Sequence, residues 1–134
     1  MHPLFQRAAG LTSEVIAAAI EVHREKGPGL LEGIYQWCME CELEIRGLAF
    51  RDQTAVVVHY KGRIREEPLR YDLLVEDCVL VEVKAIEAVL PIHKAQLLSY
   101  MKLLDVPLGL LINFNVMKLT EGVSRLILQN ADRE

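Results

Sequence analysis

Apolar positions recur at helical spacing early in the chain. Val15, Ala18, Ala19 and Val22 line one face of a helix. Thr12 is placed to cap it, with Glu14 in the first turn, and Gly27-Pro28 to stop it. A second stripe, Leu31, Ile34, Cys38, Cys41 and Ile45, predicts a helix from near Leu30 that packs on that stripe and is closed by Gly47.

The period then changes. Thr54 to Tyr60, with Val56, Val57 and Val58 at its centre, reads as a strand. Lys61-Gly62 fits a tight hairpin turn, and Arg63 to Val75 returns, with Pro68 marking an edge or irregularity. Glu76-Asp77 turns the chain into a third strand, Cys78 to Ala85. Pro91 opens a third helix reaching Leu104. Leu108 to Phe114 and Val123 to Leu128 complete the pattern. The order α-α-β-β-β-α-β-β predicts an α/β domain whose mixed β-sheet is flanked by α-helices. Residues 1–10 and 129–134 read as tails around a single domain, residues 11–128.

Composition narrows the class. The chain has 134 residues, 51% hydrophobic and 25% charged, which suits one globular domain. Its apolar runs are too short for a membrane span, and the N-terminus lacks a signal pattern. A net charge of −4 does not indicate nucleic-acid binding through bulk basicity, although clustered cations or a divalent metal can supply positive charge locally. Three cysteines make no disulfide framework and point to a reducing, cytoplasmic setting. Cys38-x-x-Cys41 falls mid-helix on the apolar stripe and is expected to be packed thiol. His2, His23 and His59 have no metal-ligand spacing, and no phosphate-binding or nucleophile-elbow motif occurs.

The chemistry concentrates in two strands. In Val81-Glu82-Val83-Lys84 the charged residues share one face and the valines the other. A wet edge strand or a charged pair at the sheet end would account for this, and so would a metal site. Asp72 places a second carboxylate within an apolar strand. Two strand carboxylates and a lysine are the minimum for holding Mg²⁺ and a water. A two-residue loop at Glu76-Asp77 would set Asp72 and Glu82 on opposite faces. Convergence therefore requires an odd loop pairing Val75 with Val79, or a bulge near Asp72. On the third helix His93, Gln96 and Tyr100 share a polar face. On the second, Glu32 has an explanation in the helix dipole, and Gly29 in the turn after Pro28.

Asp72, then Glu82-Val83-Lys84, then Gln96-x-x-x-Tyr100 resembles the PD-(D/E)XK nuclease superfamily, the restriction-endonuclease-like fold. Gly29-x-x-Glu32-x-x-Tyr35 is similar to the signature of its GxxExxY family, and the resemblance spans Leu11 to Leu128. One departure is Tyr71, where the superfamily motif has proline. The resemblance implies that Asp72, Glu82 and the Val83 carbonyl ligate Mg²⁺ (or Mn²⁺), with Glu32 completing the site. Lys84 would position the attacking water, and Gln96 and Tyr100 would orient the site or touch phosphate. It implies a nuclease acting on DNA or RNA, and a homodimer by analogy with small enzymes that cut both strands. Arg63, Arg65, Lys94 and Lys102 are candidate phosphate contacts. The competing expectations are a non-catalytic nucleic-acid-binding or protein-interaction module and a hydrolase of small phosphate esters.

Overall fold

A computed structural model describes all residues, 1–134. Helices α1 (Phe5–Lys26) and α2 (Glu32–Ile45) precede strands β1 (Phe50–Tyr60), β2 (Arg63–Val75) and β3 (Val79–Lys84). Helix α3 (Pro91–Leu104), β4 (Leu108–Asn113), a short 3₁₀ turn and β5 (Val123–Ile127) follow. The strands form one sheet in chain order. All neighbours are antiparallel except β3 and β4, where α3 supplies the crossover that a parallel pair needs. This is the mixed α/β architecture that the hydrophobic periods predict.

The sheet separates two cores. One face packs on α1 and α2 through residues such as Val15, Ala19, Tyr35, Met39, Leu73, Val81 and Val83. The other packs on α3 through Leu97 and Met101 against Leu74, Leu80 and Leu111. Strand alternation thus assigns Leu80, Glu82 and Lys84 to the α3 side.

Three expectations need correction. Helix α1 starts at Phe5, so residues 5–10 are helical. The chain ends are also tied down: His2 N–H donates to the Ala131 carbonyl at 2.8 Å, and Ala131 is buried. Thr12 lies inside the helix, where its hydroxyl donates to the Ala9 carbonyl rather than capping. The buried face of α2 is Tyr35, Met39 and Leu43. Leu31 and Ile45 of the predicted stripe are 76% and 78% exposed, and Cys38 and Cys41 line a surface groove with Trp37. Two apolar faces compete on this helix, and periodicity alone does not say which one meets the sheet.

Candidate functional site

The loop between β2 and β3 has three residues. Glu76 and Asp77 take positive φ, and Val75 pairs with Val79, Leu74 with Leu80 and Leu73 with Val81. One step further, the same register sets Asp72 opposite Glu82. On its other edge β2 is irregular as well. Arg51 pairs with Leu74 but Gln53 with Arg70, so Tyr71, Asp72 and Leu73 stand against the single residue Asp52. The odd loop and the bulge are both present. Asp72 sits where β2 leaves regular pairing, which is how a bulge re-aims a side chain.

The carboxylate of Asp72 accepts the Val83 backbone N–H at 2.7 Å. Lys84 Nζ lies 4.0 Å from Glu82 Oε2. Glu82 is only 8% exposed. Burial, and then the neighbouring Asp72 charge, push its carboxyl up to about 7, against the pull of Lys84. Asp72 is raised too, mainly by burial, with the Val83 N–H and Lys84 opposing. Partial burial raises Glu32 at the start of α2, where it feels Lys84 and Asp72. Two crowded, desolvated acids beside one ammonium are the kind of arrangement that marks functional sites.

The surrounding loops hold these groups in place. The buried Tyr35 stacks on Phe114 with ring centres 4.6 Å apart. Its hydroxyl donates to the Gly27 carbonyl at 2.5 Å and accepts from Leu30 N–H at 3.1 Å. Gly29, with φ +95°, completes the turn that sets Glu32 at the head of α2. Tyr35 thereby ties the Gly27–Leu30 turn to α2. Two residues that the sequence reading passed over also matter. Gln36 Nε2 donates to the Asp72 carbonyl at 2.9 Å and to Glu40 at 3.0 Å, while its Oε1 is buried without a partner. It follows Glu32 by four residues, a spacing that places both on one helix face. Asn113, 3% exposed, bridges the N–H and carbonyl of Ile86 and so fixes the loop beyond Lys84. Nothing in its sequence context marks that role.

Helix α3 is less closely integrated. His93 Nδ1 accepts the Leu90 N–H at 2.9 Å and thereby caps the helix. Gln96 is exposed, and Tyr100 is half-buried beside the smaller core. Neither is hydrogen-bonded to Asp72, Glu82 or Lys84. No three His, Cys, Asp or Glu side chains form a metal-ligand cluster; Glu32 interacts electrostatically with Lys84, Asp72 and Glu82.

A mixed sheet with helices on both faces and an acidic pair and lysine at one end defines a protein of restriction-endonuclease-like fold. A sequence profile of the PD-(D/E)XK nuclease superfamily matches residues 9–126, and the chain belongs to that superfamily. No curated protein matches it. The crystal structure of SSO0001 is similar, with 18% identity and a TM-score of 0.52 over 90% of this chain and 60% of that one. The likeness is one of fold, and this chain spans about 60% of that protein's length.

Superfamily members generally use divalent metal ions, and the donor set here suits one. Two oxygen-bearing side chains and the Val83 carbonyl are hard ligands. The pair carries more negative charge than Lys84 balances, and Mg²⁺ commonly takes one or two carboxylates and keeps its waters.

Proposed function

We propose that this chain is a metal-dependent nuclease of the GxxExxY branch that hydrolyses phosphodiester bonds of DNA or RNA. The observation that carries this reading is that Asp72, one step beyond the Leu73–Val81 pair, crowds the buried Glu82, with Lys84 4.0 Å from Glu82. Asp72, Glu82 and the Val83 carbonyl would hold Mg²⁺ or Mn²⁺, with Glu32 adding negative charge nearby. When bound, the ion lowers the pKa of a water and offsets phosphate charge. Lys84 holds that water by its ammonium and favours the charge growing on the phosphate oxygens. Gln36 and the Val83 N–H keep the Asp72 carboxylate turned toward Glu82, and Gln96 and Tyr100 approach the substrate phosphates from α3.

The test is cleavage of single- and double-stranded DNA and RNA in Mg²⁺ or Mn²⁺, with Lys84→Ala as control. Metal-dependent cleavage lost in Lys84→Ala supports the reading. Cleavage that survives the substitution removes Lys84 from the chemistry, and cleavage of small esters alone points to a phosphatase-like hydrolase. The net charge of −4 favours a second reading, a non-catalytic binding module of the same fold. That module would show no metal-dependent rise in melting temperature, whereas the nuclease shows one that Asp72→Ala abolishes.

A further inference from the structure

Strand β3 ends at Lys84, three residues past its last pair with β2, Leu73–Val81. The β1–β2 hairpin continues past this level. It stays paired through Thr54–Leu69, Val56–Glu67 and Val58–Arg65 to Tyr60–Arg63. Because β2 and β3 are antiparallel, the extension leaves the sheet at the end that carries Glu82 and Lys84. From Leu69 to Arg63 it reaches about 20 Å as a two-stranded ribbon. Lys61 and Gly62, both at positive φ, close it in the manner of a type I′ turn.

The ribbon tip has a composition of its own. His59-Tyr60-Lys61-Gly62-Arg63-Ile64-Arg65 contains three permanent cations and no acid, in a chain of net charge −4. Arg65 is paired with Glu67, but Lys61 and Arg63 have no carboxylate partner. Tyr60 and Ile64 are 66% and 69% exposed, and Lys61 Nζ lies 5.4 Å from the centre of the Tyr60 ring. Cross-strand pairing puts Tyr60, Arg63 and Arg65 on the face that also holds Leu69, and Leu69 packs on the α3-side core. The aromatic and cationic face of the ribbon is therefore continuous, through the change of parity at the Tyr71–Leu73 bulge, with the face bearing Glu82 and Lys84.

We propose that this ribbon is an arm that grips the phosphate backbone of a nucleic acid on one flank of the bond to be cut. The proposal rests on the nuclease reading for the identity of its ligand. A two-stranded ribbon fits a nucleic-acid groove. A reach of about 20 Å corresponds to roughly six nucleotides along a strand. The arm also answers how an acidic protein holds a polyanion: Lys61 and Arg63 sit at the tip of a projection, beyond its own Glu66 and Glu67.

The test is fluorescence anisotropy in chelator, so that no cleavage intervenes. The probes are labelled DNA and RNA duplexes of roughly two helical turns and their single strands, between about 50 and 200 mM salt. Lys61→Asn with Arg63→Gln removes both unpaired charges while creating Asn-Gly, which favours the same turn. Affinity is expected to fall roughly tenfold, and the slope of log K against log salt to drop by about 2. Lys26→Gln with Lys118→Gln, at exposed positions away from the ribbon, leaves both unchanged. Unaltered binding by the arm variant overturns the proposal, and if metal-dependent cleavage persists the nuclease reading still stands. Arm-dependent binding without cleavage in Mg²⁺ or Mn²⁺ supports the arm and refutes catalysis. A changed oligomeric state with unaltered binding marks the ribbon as a guarded protein edge and overturns the proposal, as does failure to bind any of the four probes.

Discussion

Glu82→Gln tests the electrostatics of the site without requiring a substrate. In the folded protein the Glu82 carboxyl is held at about 7, against an ordinary value of 4.5, by burial and the facing Asp72. Below 4.5 both folded and unfolded chains carry the proton, and this residue contributes no pH dependence. Between 4.5 and 7 the unfolded chain ionises while the folded one keeps its proton, so stability falls as pH rises. Above 7 the penalty is complete and flat. At roughly 1.4 kcal/mol per pH unit, its full size is about 3 kcal/mol. For a domain of this length that is a melting-temperature difference of about 10 °C. Glutamine has nearly the same shape and never ionises. Denaturant unfolding of wild type and Glu82→Gln is measured in chelator from about pH 4.5 to pH 8. The variant gains on wild type steadily across this range, by about 3 kcal/mol in all. Mg²⁺ restores most of the wild-type loss at the alkaline end and does much less for the variant. A wild-type-minus-variant difference that stays constant with pH would refute the crowded-acid argument.

Other substitutions separate the supports of the site. Asp72→Asn removes the facing charge and replaces one carboxylate oxygen of the proposed metal site with an amide NH₂. The stability loss of wild type with rising pH should shrink, and the metal-induced rise in melting temperature should disappear in scanning calorimetry. Tyr35→Phe keeps the stack on Phe114 but loses the bonds to Gly27 and Leu30. Its expected cost is about 1–2 kcal/mol, read by denaturant unfolding, with faster amide exchange confined to residues 27–31. Asn113→Ala removes the partner of the half-buried Ile86 N–H and one of two donors to its carbonyl, which keeps Asn115 Nδ2 at 3.3 Å, at a cost of roughly 1–3 kcal/mol. Thermal unfolding measures that loss, and a smaller effect would mean that water replaces the side chain.

The site was legible to the extent that it depends on residues close in sequence. Asp72 and Glu82-Val83-Lys84 stand out because charges interrupt apolar strands, and parity alone shows that two such strands converge only through an odd loop or a bulge. Gln36 and Asn113 were not legible in this way. One holds a backbone carbonyl 36 residues away and the other a loop 27 residues away, and ordinary amide side chains carry no local sign of such partners. Helix α2 misled for a related reason. Its apolar residues cover two faces, and the choice of Tyr35, Met39 and Leu43 as the buried one depends on where α1 and the sheet lie.

Local pattern determined the order of elements, the hairpin turn at Lys61-Gly62 and the residues with chemistry to offer, because hydrophobic period, turn conformation and charge placement act over a few residues. Tertiary structure decided the rest. It chose the face of α2 that is buried, fastened the termini through His2 and Ala131, drew Glu82 up toward neutrality and aimed the ribbon past the site-bearing end of the sheet. Each of these follows from desolvation or from strand register, and both exist only once distant segments have packed together.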